Sequence, residues 1–246
     1  MPYHASMDRS DRSAIRDALT ALGGSDGHVA RRFDATREFD GRVVVLPSAF
    51  NPPTRAHLRM LELAAGVAGA SHRAAMLTTR NVDKGLYGAP LDHRIGMLLV
   101  EAREAPGLAV VATNAARFVD QAAALTAEFR EARFDFVAGY DTLVRIFDPR
   151  YYDDMDAALT PFFGRHRLLV TNRAEATPRA LSAFVAALPA RFRDRVLQLE
   201  LDEHAALMSS TAARENVAGG GEDESIPPAV RRYIEEHGLY RAGAAR

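Results

Sequence analysis

Short, continuous apolar runs alternate with helical patterns along most of this 246-residue chain. The apolar runs lie near residues 42–46, 73–77, 108–112, 134–138, 167–171 and 196–201, and they predict strands buried on both faces. The patterns between them predict helices near residues 57–68, 91–105, 118–130, 142–147 and 179–188. Such alternation predicts an α/β fold with a mostly parallel sheet and helices on both faces.

The two ends of the chain differ from this repeating pattern. Residues 1–40 are polar and carry one weak helical pattern, so we expect an N-terminal extension outside the main sheet. Residues 41–246 then form a single domain. Residues 219–225 (GGGEDES) predict a mobile connector, which leads to a last helix beginning near Pro228.

Composition excludes several classes of function. The formal net charge is −1, so no overall positive charge draws the chain to nucleic acid or to an acidic membrane. The absence of cysteine excludes disulfides and thiolate metal sites. No signal peptide or membrane-spanning apolar run is present in the sequence. We therefore expect a cytoplasmic protein with no nucleic-acid or membrane partner, and a homo-oligomer stays open.

The segment at residues 48–58 (SAFNPPTRAHL) joins the first predicted strand to the first predicted helix of the alternating region. Thr54 is expected to cap that helix, which places His57 in its first turn. The first N–H groups of a helix have no partner within it, and the helix dipole makes this end partly positive. The junction therefore predicts an anion site, although a histidine alone is more often a surface or core residue.

A second segment of this kind lies at residues 208–214 (MSSTAAR). It also begins a helix with hydroxyl side chains, and Arg214 lies one turn later, where a guanidinium can bind a phosphate through two hydrogen bonds. Alone, the pattern is more typical of an ordinary helix cap followed by a solvated arginine. Two such helix starts after separate strands favour a phosphate-binding function.

Lys84 is the only lysine among 31 basic residues. A general bias toward arginine explains the other 30, and Lys84 is then either a chance survivor or a position that needs a compact ammonium group. Both interpretations remain open from the residue alone.

Taken together, residues 50–57 (FNPPTRAH) and 209–214 (SSTAAR) resemble the (H/T)-x-G-H and I-S-S-T-x-x-R motifs of a nucleotidyltransferase family. The chain is most similar to the nicotinamide/nicotinate mononucleotide adenylyltransferases, over residues 42–240. The segments around Lys84 and Arg94 are similar to a basic region near the nucleotide phosphates in that family. The resemblance implies a Rossmann-like nucleotidyltransferase fold and a role in NAD biosynthesis, in which ATP and a pyridine mononucleotide give a dinucleotide and pyrophosphate.

The resemblance also implies roles for individual residues. The residues expected to be catalytic are His57, Lys84 and Arg214. Those expected to bind ATP are Ala49, Phe50, Thr54, His57, Gly139, Asp141, Ser210, Thr211 and Arg214. Those expected to bind the mononucleotide are Asn51, Arg94, Phe118, Tyr152 and Arg173. Mg²⁺ is expected to be held through the ATP phosphates, with no metal ligand from the chain.

The chain departs from the family pattern at several positions. Ser48 stands where the family usually has a glycine that lets the backbone approach a phosphate closely, so the tightness of ATP binding stays open from the sequence. Ala56 replaces the glycine of the first motif. The chain has no tryptophan to stack on the pyridine ring. Tyr152 or Phe118 could stack there instead, and interfacial packing is the alternative role for Tyr152.

Two other functions remain open from the sequence. One is a transferase of the same fold with another phosphate acceptor, of the phosphopantetheine or cytidylyl type. The other is a nucleotide-binding module without turnover, which Ser48 and the N-terminal segment would fit. The choice between nicotinamide and nicotinate mononucleotide is also open, because it depends on a few contacts to one amide or carboxylate.

Overall fold

The computed structural model describes residues 9–34, 38–80, 88–172 and 177–241. In these residues seven strands form one sheet in the order β1-β4-β3-β2-β5-β6-β7, and every neighbouring pair is parallel except β1 and β4. The strands are β1 (Ala30–Arg32), β2 (Arg42–Pro47), β3 (His72–Thr78), β4 (Leu108–Thr113), β5 (Arg133–Gly139), β6 (Leu168–Thr171) and β7 (Val196–Leu199). The predicted α/β fold with a mostly parallel sheet is confirmed.

Helices lie between the strands and cover both faces of the sheet. The helices in the described residues are α1 (Arg9–Gly23), α2 (Arg55–Ala68), α3 (Leu91–Glu104), α4 (Phe118–Glu128), α5 (Tyr140–Ile146), α6 (Met155–Arg165), α7 (Pro178–Ala187), α8 (Ala190–Arg193), α9 (Glu203–Leu207), α10 (Ser210–Ala218) and α11 (Pro228–Glu236). The sequence patterns did not predict α6, because Pro161 lies inside it. Its start is stabilised by the Asp154 carboxylate, which accepts a hydrogen bond from the Ala157 N–H.

The apolar strand runs are continuous because each face of the sheet packs into its own core. Along β2, Val44 and Leu46 face the core formed with α1, α2, α3 and α11. Val43 and Val45 face the opposite core, which α4, α6 and α7 help to form. Successive side chains of a strand point to opposite faces, so a strand covered on both sides must be apolar at every position.

The N-terminal segment is part of the sheet. Ala30–Arg32 forms the antiparallel edge strand β1, so the expectation that residues 1–40 lie outside the main sheet is wrong for these residues. A three-residue strand with two arginines has too little apolar pattern to be predicted. Before it, α1 packs on α3, where Arg12 and Arg16 both donate hydrogen bonds to the buried Asp92 carboxylate. The division of the chain at residue 40 stays a prediction.

The C-terminal helix α11 also packs against α3. A Cβ added to Gly96 would lie 2.3 Å from the hydroxyl oxygen of Tyr233, so the close approach of the two helices requires glycine there. The expected connector at residues 219–225 is exposed over its first four residues and packed at its end. Asp223 and Ser225 are buried, and the Ser225 carbonyl accepts a 2.7 Å hydrogen bond from the N–H of Arg55 at the start of α2.

Asp135 on β5 is a buried carboxylate held by two arginines. Arg42 donates to it at 2.6 Å from β2, and Arg167, just before β6, also donates to it. Burial alone would raise the pKa of Asp135, but the two guanidinium groups hold it below its ordinary 3.8. The ionised carboxylate therefore ties together three neighbouring strands of the sheet.

Replacing Asp135 with alanine is expected to lower the free energy of unfolding by about 3 kcal/mol at pH 7, because two arginines lose a buried partner. Since the folded-state pKa is lowered, this contribution is complete above the ordinary pKa of 3.8 and disappears as the pH falls through the lower folded value. Urea denaturation at pH 7 and at pH 3 measures both effects.

The matched control is Asp156→Ala. Asp156 pairs with Arg191, and both side chains are more than half exposed, so the loss should stay below about 1 kcal/mol. Equal losses for the two variants at pH 7 would contradict the role given to Asp135.

Candidate active site

The loop at residues 48–54 follows β2 at the point where the strand order reverses. The chain builds β3 and β4 on one side of β2 and then returns to place β5 on its other side. In an open parallel sheet, the crevice beyond the carboxyl ends of two such strands is the usual ligand site. The loop is therefore in the position that its sequence predicted.

His57, in the first turn of α2, is held by the residue that caps the helix. Its side chain is buried, and its Nδ1 accepts a 3.0 Å hydrogen bond from the Thr54 N–H. The Thr54 hydroxyl lies 2.8 Å from the same nitrogen. A ring nitrogen that accepts from a backbone N–H carries no proton, so this hydrogen bond assigns the ring proton to Nε2. His57 is thus oriented as a donor at Nε2.

Ser48 lies beside that donor. Its hydroxyl oxygen is 3.2 Å from His57 Nε2, and its N–H donates to the Met76 carbonyl on β3 at 3.1 Å. Sequence reasoning singled out Ser48 as a missing glycine but did not foresee this contact, which depends on the direction of the side chain.

The second motif contacts the first directly. Ser210, at the start of α10, donates a 2.8 Å hydrogen bond to the Pro52 carbonyl. Arg214 donates to the Asn51 carbonyl and, at 3.1 Å, to the Thr211 hydroxyl. The two helix starts that the sequence identified therefore lie side by side, although 158 positions separate Ser210 from Pro52.

Asn51 connects the loop to α3 and to the C-terminal tail. It is buried, and its Oδ1 accepts hydrogen bonds from the Ala89 N–H at 3.1 Å and from the Tyr240 hydroxyl at 2.8 Å. Arg94 on α3 donates to the Ala89 carbonyl at 2.7 Å and to the Ala49 carbonyl at 3.3 Å. Because Oδ1 accepts both bonds, the orientation of the Asn51 amide is fixed.

The neighbouring His93 contacts different residues from Arg94. Its ring packs against Tyr233 and His237 of the C-terminal segment, and its Nδ1 lies 3.2 Å from the Tyr233 hydroxyl. Burial, with the positive charge of Arg12, lowers the pKa of His93 to about 4. His93 therefore packs between α3 and α11.

The remaining predicted residues lie at the ends of β5 and β6 or on the helices beyond them. Gly139 ends β5 and is buried, and Asp141 is exposed in the first turn of α5. The half-buried Tyr152 donates its hydroxyl to the Ile146 carbonyl at 2.9 Å, and burial raises its pKa. Phe118 packs edge-on against Phe136 and Phe162.

Both rings already pack against other residues of the protein. Stacking of Tyr152 or Phe118 on a pyridine ring stays a prediction. Lys84 and Arg173 lie outside the described residues.

Two further properties concern the described parts of the chain as a whole. They contain no group of three or more His, Asp or Glu side chains that could hold a metal ion. No helix within them is both long enough and apolar enough to cross a membrane.

Comparison with curated proteins identifies relatives. The putative nicotinamide mononucleotide adenylyltransferase of Schizosaccharomyces pombe is 26% identical over 220 residues, which span 82% of this chain and 87% of the relative. The predicted family resemblance is confirmed. A probable nicotinate-nucleotide adenylyltransferase of Neisseria meningitidis serogroup B is 42% identical over 64 residues, 26% of this chain and 30% of that protein. No protein-family model matches the chain.

Solved structures of an adenylyltransferase share the fold. The nicotinic acid mononucleotide adenylyltransferase of Plasmodium falciparum, complexed with NaAD, superposes with a TM-score of 0.62 at 15% identity. The match covers 81% of this chain and 97% of that one. The same Plasmodium protein complexed with APC gives a TM-score of 0.58 at 14% identity. The predicted Rossmann-like nucleotidyltransferase fold is therefore confirmed.

Sequence reasoning missed one residue of this site, Tyr240. Its backbone has a φ of 63°, and the turn after α11 carries its ring back to the loop. Burial raises the pKa of its hydroxyl, which stays protonated and donates to Asn51. The sequence shows no local signal for this contact, because it joins residues 189 positions apart.

Replacing Tyr240 with phenylalanine removes only this hydroxyl. We expect the free energy of unfolding to fall by about 1 kcal/mol, because Oδ1 of Asn51 loses the hydrogen bond from Tyr240 and keeps the one from the Ala89 N–H. Urea denaturation measures the change. Tyr140→Phe is the control, because the Tyr140 ring packs edge-on against Phe184, and its effect should stay within about 0.5 kcal/mol. A Tyr240→Phe variant as stable as the parent would show that the hydroxyl does not anchor the loop.

Proposed function

We propose that this chain joins ATP to nicotinamide or nicotinate mononucleotide, giving a pyridine dinucleotide and pyrophosphate in NAD biosynthesis. The observation that carries the proposal is the direct contact of the two phosphate-type motifs around His57, through Ser210 and Arg214. The curated Schizosaccharomyces relative, which is matched along most of its length, supports the same reaction.

The chemistry requires positioning rather than a general base. A phosphate monoester has a second pKa of about 6, so the 5′-phosphate of the mononucleotide is largely ionised at neutral pH. In this form it attacks the α-phosphorus of ATP. The protein must hold two anions in line and stabilise the charge that develops. The Nε2 donor of His57 is oriented by Thr54 for this task, and we assign it to an oxygen at the α-phosphate.

The leaving pyrophosphate is assigned to the second motif. The start of α10 supplies backbone N–H groups at Ser210 and Thr211 and the hydroxyl of Thr211. The Ser210 hydroxyl donates its proton to the Pro52 carbonyl and holds the two motifs together. Arg214, one turn later, adds a positive charge in a fixed fork of donors. Lys84, as the second cation, is assigned to the phosphates as well.

The loop backbone at Ala49 and Phe50, with the Thr54 cap, is assigned to the α-phosphate. Gly139 and Asp141 are assigned to the adenosine. The mononucleotide is assigned to Asn51, Arg94, Phe118, Tyr152 and Arg173. The position of Asn51 and Arg94 against the loop supports the first part of this set.

Mg²⁺ is assigned to the phosphate oxygens of ATP and to water. When bound, the ion would neutralise phosphate charge.

His57→Ala is expected to lower kcat for pyrophosphate release by about 10²- to 10³-fold, because a donor to the transferred phosphate is removed. A coupled pyrophosphate assay with ATP and each mononucleotide in turn measures it. His72→Ala is the control. His72 is the first residue of β3, so it lies at the edge of the parallel sheet opposite to the one that carries the His57 loop. There it pairs with Asp40.

Near-parental turnover by a folded His57→Ala variant would contradict the mechanism. If the parent protein releases no pyrophosphate with either mononucleotide, the reaction is wrong. Activity with phosphopantetheine or a cytidylyl acceptor would then identify a different transferase, and ATP binding without turnover would identify an inactive module.

A further inference from the structure

Ser48 brings a second polar hydrogen to the position of the His57 donor. The two side-chain atoms, Ser48 Oγ and His57 Nε2, are 3.2 Å apart. Because Thr54 donates its N–H to Nδ1, the proton on Nε2 points to Ser48 and the serine oxygen accepts it. A hydroxyl that accepts in this way keeps its own proton for another acceptor.

The backbone of Ser48 has another partner. Its N–H donates to the Met76 carbonyl and extends the ladder between β2 and β3 by one position. The side chain of Ser48 is therefore the part of this residue that can bind a ligand. It is partly exposed at the carboxyl end of β2, on the loop that enters α2.

We propose that the Ser48 hydroxyl is a phosphate-binding and catalytic group in this chain, donating to the phosphate oxygen bound by His57. This inference rests on the proposed function. Nε2 and Oγ lie one hydrogen bond apart, so an anionic oxygen bound beside the pair is within reach of both. The Ser48 hydroxyl donates its own proton to that oxygen, and the Nε2–H is shared between Oγ and the same oxygen. The serine thus supplies, from a side chain, a contact that glycine at this position lacks, because the backbone N–H here is bonded to the Met76 carbonyl.

The geometry answers a question that the sequence leaves open at Ser48. The sequence does not decide whether a side chain in place of glycine weakens ATP binding by keeping the backbone away from the phosphate. A hydroxyl already bonded to the histidine adds a donor instead. Two donors on one developing charge stabilise it more than one, and the two side chains already lie together before the charge appears.

The first experiment measures kcat and KM for the parent, Ser48→Ala and Ser48→Gly in the pyrophosphate assay. Both variants are expected to lose about tenfold to hundredfold in kcat, with little change in the KM for the mononucleotide. Ser182→Ala is the matched control, because Ser182 is exposed on α7 and bonds only to Gln198 in the described structure. An unchanged or increased kcat in Ser48→Ala would overturn the proposal.

A double-mutant cycle then separates this role from a merely structural one. In the His57→Ala background, adding Ser48→Ala is expected to cost less than threefold, because the hydroxyl has lost the nitrogen that orients it. Full additivity of the two substitutions would overturn the shared-oxygen arrangement.

Equilibrium binding distinguishes failure of this proposal from failure of the proposed function. If the parent shows no turnover, the proposed reaction fails, and calorimetric binding of ATP and of adenosine decides the role of Ser48. Ser48→Ala should weaken ATP binding several-fold and leave adenosine binding unchanged. Equal ATP affinity in parent and variant would overturn the phosphate contact.

Discussion

The hydrogen bond from the Thr54 N–H to His57 Nδ1 determines what this site can do. It uses a backbone donor that the start of α2 would otherwise leave without an intrahelical partner, and it directs the ring proton to Nε2. The residue that begins the helix therefore also selects the tautomer of the histidine. Ser48 completes the arrangement by accepting from that nitrogen.

Around this pair, the loop is held in place by hydrogen bonds that its backbone carbonyl groups accept. Arg94, Arg214 and Ser210 each donate to a carbonyl, those of Ala49, Asn51 and Pro52 respectively. The donors come from two different helices, so α3 and α10 fix the loop from outside. This support maintains a loop in which Phe50 has a φ of 43°, a left-handed conformation that is costly for a phenylalanine.

The sequence predicted the sheet well where strands are buried on both faces, because such strands are apolar at every position. It predicted the meeting of the two motifs because both follow strands whose carboxyl ends share one edge. It failed for β1, where two of three residues are arginine, and for α6, which contains Pro161. The Ser48 and Tyr240 contacts depend on side-chain direction and on a distant turn, and neither leaves a periodic pattern.

The bond between Tyr240 and Asn51 also has a consequence for the order of assembly. It links positions 189 residues apart, and the contacts from α10 are nearly as distant in sequence. Contacts of such long separation form late, because most of the intervening chain must be ordered first. On the ribosome, β2 and α2 are made early, yet their loop lacks these partners until residue 240 has been synthesised. The candidate site is thus finished last, and a nascent chain stopped before that point carries the first motif without its support.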